Sequence, residues 1–203
     1  MEQLKRRILA EGKALDADIL LVDSFLNHQV DTALMRDIGF AFARRFAGHR
    51  ADRVVTVESS GIAPAVMTAL ALELPLVILK RQSSRILRED VWQTAVQSFT
   101  KNMRYKLTVK RAFMPAGSRA LFIDDFLASG EAALGAHALL AQAGATLCGI
   151  GIVIEKAFQP GRRRLVELGY EVHSLARIAA MDARGIVFAE DENDSPGQDG
   201  DGL

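Results

Sequence analysis

The sequence predicts an α/β protein with a mainly parallel, twisted central sheet and helices on both faces. Two observations predict this fold class. Segments with strand character alternate with segments of helical periodicity, and the strand segments are continuous apolar runs rather than alternating apolar and polar residues. Such runs are typical of strands buried on both faces, as in parallel sheets. With 203 residues, of which 49% are hydrophobic and 25% charged, the chain is long enough for one domain with a large core.

Two helices around a short extended segment are predicted in the N-terminal quarter of the chain. The first helix spans Leu4–Glu11, and Leu20–Val22 forms a short strand. Asp31 is placed to cap the second helix, because its carboxylate can accept hydrogen bonds from the first unpaired backbone N–H groups. The apolar residues of that helix recur at helical spacing and are Met35, Ile38, Phe42 and Phe46.

Two buried strands, Arg53–Val57 and Leu76–Leu79, are predicted in the middle of the chain. The helix between them has Pro64 in its first turn, where proline is favoured. The polar stretch Lys80–Lys101 has scattered aromatic residues and no firm period. We therefore expect it to leave the core as a hairpin or a flexible hood, the hood covering about 81–98.

The C-terminal half continues the alternation of strand and helix. The helix that begins at Gly130 is expected to turn Leu134, Leu139 and Leu140 towards the core. In chain order the predicted elements are strand Ala120–Ile123, helix Gly130–Ala143, strand Leu147–Ile154, a helix from Pro160 to Leu168, strand Glu171–Leu175 and a last strand Ile186–Ala189.

Composition excludes several classes of protein. The formal net charge is zero, which gives no support to non-specific nucleic-acid binding. Cys148 is the single cysteine, so an internal disulfide framework and a cysteine-rich zinc site are excluded, and the cytoplasm is the expected compartment. No apolar run reaches the roughly 18 residues of a membrane span. We expect one domain over 1–190 and a disordered, acidic, glycine-containing tail over 191–203.

The stretch R-A-L-F-I-D-D-F-L-A-S-G-E-A, residues 119–132, carries the clearest chemical signal. Its apolar strand leads into Asp124 and Asp125, and parallel sheets bind ligands beyond the carboxyl ends of their strands. The small residues that follow open a helix, where exposed N–H groups and the helix dipole bind phosphate. Gly130 permits close approach, and Ser129 adds a hydroxyl donor. Because carboxylates repel phosphate, the acids must face another part of the ligand, and ribose hydroxyls are the natural partners.

The acid pair has other interpretations. It could be a solvated strand end in which one acid caps the next helix, although the small-residue turn favours a site. A magnesium-binding strand of an ATP-hydrolysing protein would need a G-x-x-x-x-G-K-[ST] loop, and Gly12-Lys13 is followed by Ala14 and preceded by a helix. A Rossmann dinucleotide site fails because no G-x-G-x-x-G follows a strand.

These residues resemble a known family. The stretch A-L-F-I-D-D-F-L-A-S-G-E-A resembles the phosphoribosyl-pyrophosphate motif of the type I phosphoribosyltransferases. Further stretches resemble one branch of that family, the bacterial xanthine phosphoribosyltransferases, over nearly the whole chain outside the tail. They include V-D-S-F-L-N-H-Q-V-D (22–31), V-E-S-S-G-I-A-P-A-V-M-T (57–68) and G-I-G-I-V-I-E-K-A-F-Q-P-G-R (149–162).

The resemblance implies the type I phosphoribosyltransferase fold with a small base-binding region. It implies transfer of the 5-phosphoribosyl group of 5-phospho-α-D-ribose 1-diphosphate (PRPP) to N9 of xanthine in purine salvage, by a homodimer. It also implies a Mg²⁺ ion bound mainly through the diphosphate of PRPP rather than by a protein metal site. The alternatives are another purine base (hypoxanthine, guanine or adenine) and a non-enzymatic, PRPP-sensing regulator of transcription. A regulator would need a DNA-binding segment, and the roughly 20 residues before the first motif are too few for a winged helix.

The resemblance assigns roles to individual residues, with the catalytic pair Asp124 and Asp125 holding the ribose hydroxyls. The residues expected to bind PRPP through its 5′-phosphate are Ala128, Ser129, Gly130, Glu131 and Ala132. The pyrophosphate loop is expected to comprise Glu58, Ser59, Ser60 and Gly61, with Lys80 and Arg81 nearby. The xanthine site is expected to comprise Leu20, Asn27, Lys156 and Phe158. Glu131 must turn its carboxylate away from the phosphate.

Several of these assignments have structural alternatives that the residues alone leave open. Ser59 or Ser60 could cap the helix that follows, and Lys80 and Arg81 could form a solvated basic pair. Lys156 could be a surface charge, and Phe158 an ordinary core residue. In the hood, Arg85 and Arg88 could contact phosphate.

Overall fold

A six-stranded sheet forms the centre of the fold in a computed structural model, which describes residues 1–81, 90–98 and 103–189. The strands of this described part are β1 Lys13–Ala14, β2 Leu20–Leu21, β3 Arg53–Val57, β4 Leu76–Leu79, β5 Val91–Ser98, β6 Met103–Lys110, β7 Arg119–Leu127, β8 Thr146–Lys156, β9 Val172–Asp182 and β10 Gly185–Phe188. The helices are α1 Glu2–Glu11, α2 Thr32–Phe46, α3 Ile62–Leu72, α4 Glu131–Gln142 and α5 Gly161–Glu167. The predicted tail and hood residues 82–89, including Arg85 and Arg88, lie outside the described residues.

The strand order of the central sheet is β10-β9-β8-β7-β3-β4. All neighbouring strands pair in parallel except β10, which pairs antiparallel with β9. The predicted parallel sheet is thus confirmed. The chain places β4 on one side of β3 and the later strands on the other, so the order reverses between β3 and β7. A crevice opens at such a reversal, beyond the carboxyl ends of the two strands.

Both faces of the sheet are buried, which explains the continuous apolar strands. Successive strand residues point to opposite faces. Leu121 and Ile123 pack in one cluster, which contains residues of α1, α2 and α3, whereas Phe122 packs in the other, which contains residues of α4 and α5. None of the helices in the described ranges is long and apolar enough to cross a bilayer.

Asp31 caps α2 as the sequence predicts. Its Oδ1 accepts hydrogen bonds from the backbone N–H groups of Ala33 (3.1 Å) and Leu34 (3.0 Å). Its other oxygen, Oδ2, lies 2.9 Å from Arg7 Nη2 on α1. The cap therefore also ties the N-terminal helix to α2.

One sequence prediction is wrong in detail. Strand β7 does not end before the acid pair but continues to Leu127, because its pairing with β8 continues through Asp124↔Ile152 and Leu127↔Glu155. A charged residue in a strand need not end it when the neighbouring strand supplies the backbone partners. The inward orientation predicted for α4 is confirmed, because Leu139 and Leu140 lie in the core and the partly buried Leu134 packs against it.

The polar stretch after β4 forms the hairpin that the sequence allowed. Strand β5 pairs antiparallel with β6, which extends to Lys110 and was not predicted. The hairpin packs against α4 at Gly135, where an added Cβ would lie 2.8 Å from Leu107 Cδ1 and would overlap Val96. A bridge between Lys80 and Thr108 joins the hairpin to the end of β4. The hairpin is thus held close to the carboxyl edge of the sheet.

The packing of α2 on α3 gives a stability prediction. A Cβ on Gly39 would lie 2.5 Å from the carbonyl carbon of Met67, so Gly39→Ala must push the helices apart. We expect it to lower the free energy of unfolding by about 1–3 kcal/mol in urea denaturation. Gly48→Ala is the control, because nothing lies within 4 Å of its added Cβ. Stabilisation by Gly39→Ala, as helix propensity alone would give, would contradict this packing.

Candidate active site

The acid pair and the loop after β3 meet at the point where the strand order reverses. Strands β3 and β7 are parallel neighbours, with Val55 opposite Phe122, so Gly61 and Asp124 lie at the same edge of the sheet. A Cβ on Gly61 would overlap Asp124 Oδ1 and lie 2.5 Å from Thr56 Oγ1. Only glycine allows the loop to approach the acid this closely.

The two aspartates form a carboxyl pair in which Asp124 is buried and Asp125 is partly buried. Asp124 is 6% exposed, and its Oδ1 accepts a hydrogen bond of 3.1 Å from the backbone N–H of Asp125. Burial and then the neighbouring charge of Asp125 raise the pKa of Asp124 well above its ordinary value. Burial also raises the pKa of Asp125, although the hydrogen bond from Asp124 opposes that rise. Both groups therefore bind a proton more tightly than solvated carboxyl groups do.

The predicted phosphate turn, residues 128–132, joins β7 to α4 next to these acids. Gly130 has a φ of 87°, a left-handed conformation that favours glycine, and no side chain caps the helix within the described structure. A small cavity of about 100 Å³ is lined both by Asp124 and by all five residues of the turn, Ala128, Ser129, Gly130, Glu131 and Ala132. The structure thus brings the predicted ribose and phosphate groups together.

The carboxylate of Glu131 contacts Ser129 and helix α5. Its Oε2 accepts a hydrogen bond from the hydroxyl of Ser129, and its Oε1 lies 3.5 Å from Arg164 Nη1. Arg164 also donates a hydrogen bond to the carbonyl oxygen of Ser129. The carboxylate is thus paired within the protein, and its turning away from a bound phosphate stays a prediction.

The predicted pyrophosphate loop differs from the expectation at Lys80. Lys80 Nζ lies 2.9 Å from Glu58 Oε2, so in this structure its charge faces Glu58 rather than the crevice. The hydrogen bond from Lys80 lowers the pKa of Glu58, which also accepts a bond of 3.3 Å from the backbone N–H of Arg81. The positive charge of Arg81 opposes the rise that burial causes in the pKa of both acids of the pair. Arg81 is thus the cation of the two that acts on the acid pair.

The serines of this loop do not cap the following helix. Gly61 is the N-cap of α3, and no side chain of the described structure makes the cap hydrogen bond. The capping alternative for Ser59 and Ser60 is therefore wrong. Both hydroxyls remain at the edge of the sheet, with Ser59 exposed and Ser60 partly buried. The peptide bond between Glu58 and Ser59 is cis.

Two of the four predicted base-site residues, Lys156 and Phe158, have environments that bear on their alternatives. Lys156 is half-buried, donates a hydrogen bond to the carbonyl oxygen of Asp18, and lies 5.4 Å from the centre of the Phe126 ring. Loss of hydration lowers its pKa, which the charges of Asp18 and Asp16 oppose. Leu20, two residues after Asp18, is buried near this hydrogen bond. Phe158 is 43% exposed, so the core-packing alternative is wrong.

In the described part of the chain, Asn27 makes no observed contact with the other predicted base-site residues. It ends a short π-helix, Asp23–Asn27, and is exposed. Among residues 1–81, 90–98 and 103–189, no hydrogen bond joins its side chain to Leu20, Lys156 or Phe158. Its role stays a prediction.

Sequence reasoning missed two residues at the site. Tyr105, on the hairpin, lies under the guanidinium of Arg81, 5.2 Å from the ring centre. Burial raises the pKa of Tyr105, and the charges of Asp124 and Glu131 raise it further. Thr56 is fully buried beside Gly61, and its hydroxyl has no hydrogen-bond partner in the described structure. The polar residue among the valines of V-V-T-V (54–57) was the available signal for Thr56; Tyr105 had none.

Glu155, next to Lys156 on β8, is a buried acid held by a network of hydrogen bonds. It is 1% exposed and accepts two hydrogen bonds from Arg162, of 2.8 and 2.7 Å. Ser174 donates a third bond of 2.5 Å, and Arg177 Nε lies 3.5 Å away. The hydrogen bonds from Arg162 and Ser174 outweigh the effect of burial, so the pKa of Glu155 is lowered. This acid cross-links β8, α5 and β9.

Comparison with known proteins gives one consistent family. The profile of the phosphoribosyl transferase domain matches residues 22–191. The chain is 56% identical over 190 residues to xanthine phosphoribosyltransferase 1 of Clostridium botulinum (strain Hall), covering 94% of this chain and 100% of the relative. It is 53% identical to the xanthine phosphoribosyltransferase of Agathobacter rectalis, covering 94% and 100%. A Bacillus cereus protein of that name is 47% identical, covering 95% and 98%.

Solved structures show the same fold. Adenine phosphoribosyltransferase of Rhodothermus marinus superposes with a TM-score of 0.71 at 22% identity, covering 87% of this chain and 97% of that one. The Saccharomyces cerevisiae adenine phosphoribosyltransferase gives a TM-score of 0.70 at 21% identity, covering 86% and 99%. At these identities the structures bear on the fold alone, and they confirm the predicted fold class.

The raised pKa of Asp124 predicts a pH-dependent effect of Asp124→Asn on the ligand-free protein. The folded state holds this proton more tightly than the unfolded chain does, so the bound proton stabilises the fold. This stabilisation is complete below pH 3.8 and is lost as the pH rises through the raised pKa. Asparagine does not titrate, so the variant does not lose stability in this way. We therefore expect the melting temperature of the variant, relative to the wild type, to rise between about pH 4 and pH 8, with about 1.4 kcal/mol for each unit of raised pKa.

The control for this titration is Asp90→Asn, at an aspartate whose side chain is 77% exposed. It should leave the difference in melting temperature constant across the same pH range. A constant difference for Asp124→Asn as well would mean that the buried acid does not hold its proton.

Proposed function

The chain belongs to the phosphoribosyl transferase domain family, and we propose that it transfers the 5-phosphoribosyl group of PRPP to N9 of xanthine, giving xanthosine 5′-monophosphate and diphosphate. The observation that carries this proposal is the single cavity lined by Asp124 and the phosphate turn. A 5-phosphorylated ribose needs these two kinds of partner a few ångströms apart. The choice of xanthine comes from the full-length relatives of that name.

The turn binds the 5′-phosphate through its backbone. The N–H groups of Gly130 to Ala132 open α4, a helix of 12 residues, where its dipole favours negative charge. The hydroxyl of Ser129 adds a donor once it leaves Glu131. No basic side chain is required for this binding.

The acid pair binds the ribose and favours the transition state. The carboxylates of Asp124 and Asp125 accept hydrogen bonds from the 2′- and 3′-hydroxyls, which replace the water lost on burial. As the bond to diphosphate breaks, positive charge develops at the anomeric carbon, and nearby carboxylate charge stabilises it. This effect requires the ionised acids, and the positive charge of Arg81 favours their ionised form.

The loop over residues 58–61 receives the leaving diphosphate. Its backbone and the hydroxyls of Ser59 and Ser60 lie beyond β3, at the start of α3. Arg81 neutralises the charge of the leaving diphosphate. Lys80 can add a second positive charge if its ammonium group leaves Glu58 and contacts the diphosphate. Mg²⁺, which keeps several waters and is held partly by substrate oxygens, would supply charge to the diphosphate.

The base lies on the side of Lys156. This ammonium donates to a purine carbonyl, Phe158 and Leu20 supply apolar contact, and Asn27 donates to the 2-oxo group that xanthine has and adenine lacks. A pocket with such donors rejects a base that leaves them unpaired. Xanthine loses a proton near neutral pH, so binding the correct protonation state replaces a general base. We place the enzyme in purine salvage in the cytoplasm, as a homodimer.

Diphosphate release from PRPP and Mg²⁺, measured with each purine in turn, tests the function. We expect xanthine to give the highest kcat/KM. Asp124→Asn combined with Asp125→Asn should lower kcat by at least about 100-fold, because the transition-state charge loses its partners. Asp37→Asn, on the surface of α2, is the control. Activity with adenine and none with xanthine would contradict the base assignment. The absence of diphosphate release with every purine would contradict the proposed phosphoribosyltransferase activity.

Replacement of Lys156 separates the base site from the phosphate site. Lys156→Gln should raise the KM for xanthine by about tenfold or more, because a charged donor to the carbonyl is lost, while the KM for PRPP stays within about twofold. Lys110→Gln, at an exposed lysine of β6, is the matched control. Equal increases in both KM values would place Lys156 outside the base site.

A further inference from the structure

Helix α5 packs against the phosphate turn, residues 128–132, and donates hydrogen bonds to its backbone. Gly161 donates a backbone hydrogen bond of 2.9 Å to the carbonyl of Ala128, and a Cβ on Gly161 would come within 3.0 Å of Gly130 N. Three residues further on, Arg164 donates a hydrogen bond to the carbonyl of Ser129. The helix itself is fixed to the sheet by the hydrogen bonds from Arg162 to the buried Glu155. The turn is therefore built against a rigid support.

Glu131 is the residue of the turn whose charge opposes phosphate binding. Its side chain is 13% exposed, so water screens its charge poorly. One carboxylate oxygen accepts the hydrogen bond from Ser129, and the other is buried without a hydrogen-bond partner in the described structure. Arg164 Nη1, at 3.5 Å from that second oxygen, is the cation that faces it.

Phosphate binding changes this arrangement. The hydroxyl of Ser129 cannot serve both Glu131 and a bound phosphate through its single proton. When Ser129 turns to the phosphate, the carboxylate loses its hydrogen-bond donor and keeps Arg164. Without Arg164, a poorly screened carboxylate would remain beside a phosphate dianion.

We propose that Arg164 is a positioning residue for the phosphate turn. It holds the Glu131 carboxylate out of the cavity and neutralises it, fixes the carbonyl of Ser129, and so releases the Ser129 hydroxyl for the ligand. This role rests on the proposed function only in that residues 128–132 bind the 5′-phosphate of a pentose. It does not depend on which base the enzyme uses.

A double-mutant cycle tests the role, with ribose 5-phosphate as the probe and titration calorimetry as the measurement. Arg164→Gln should weaken binding by about tenfold, because it exposes the charge of Glu131. Glu131→Gln should strengthen binding by about twofold. Arg164→Gln combined with Glu131→Gln should return the dissociation constant to within about threefold of the wild type. Rescue by the second substitution is not expected of a residue that only stabilises the fold.

Arg163→Gln is the matched control. It changes the neighbouring arginine of α5, whose side chain is 75% exposed and pairs with Glu167 at 3.8 Å, and it should leave the dissociation constant unchanged. If Arg164→Gln lowers the melting temperature sharply, Arg164→Lys replaces it. Lysine keeps the positive charge but lacks the planar set of guanidinium N–H donors. Arg164→Lys should therefore weaken binding by less than about threefold.

Equal affinities of Arg164→Gln and the double variant would overturn the proposal, as would a tenfold loss in Arg164→Lys. Failure of the wild type to bind ribose 5-phosphate would overturn both this role and the proposed function. Binding and rescue as expected, in a protein that releases no diphosphate with any purine, would leave the role of Arg164 intact and overturn the proposed function alone.

Discussion

The close approach of Gly61 to Asp124 is the contact on which the site depends. It exists because β3 and β7 are parallel neighbours at the point where the strand order reverses, so the loop after one strand reaches the acid near the end of the other. A side chain at position 61 would overlap Asp124 and separate the two. This constraint places the predicted diphosphate site against the predicted ribose site. It also shields the acid pair from water, which raises the pKa of both carboxyl groups.

A second layer of residues holds this edge of the sheet. Glu155 is buried and cross-links β8, α5 and β9 through Arg162, Ser174 and Arg177. Because α5 is anchored in this way, Gly161 and Arg164 can fix the backbone of the phosphate turn. A cradle of backbone N–H groups binds phosphate only if its peptides keep their orientation. The acid and the arginines therefore support a site that they do not line.

The sequence allowed much of the fold and of the site to be predicted. Strands such as Arg53–Val57 were located because residues buried on both faces form continuous apolar runs, and Asp31 was recognised as a cap from its position before a helical repeat. The predicted end of β7 was wrong because pairing with β8, which is a tertiary property, carries the strand past its acids. The acid pair and the turn were found together because they are adjacent in the chain.

Residues brought to the site from a distance escaped prediction. Tyr105 reaches Arg81 only because its hairpin packs against Gly135 of α4, and Arg164 reaches Glu131 only because α5 folds back onto the turn. Neither contact has a local signal in the sequence. The most direct test of the whole site is a crystal structure of the protein with xanthosine 5′-monophosphate. We expect the ribose hydroxyls on Asp124 and Asp125 and the phosphate on the N–H groups of residues 128–132; a nucleotide bound away from this edge of the sheet would contradict the site.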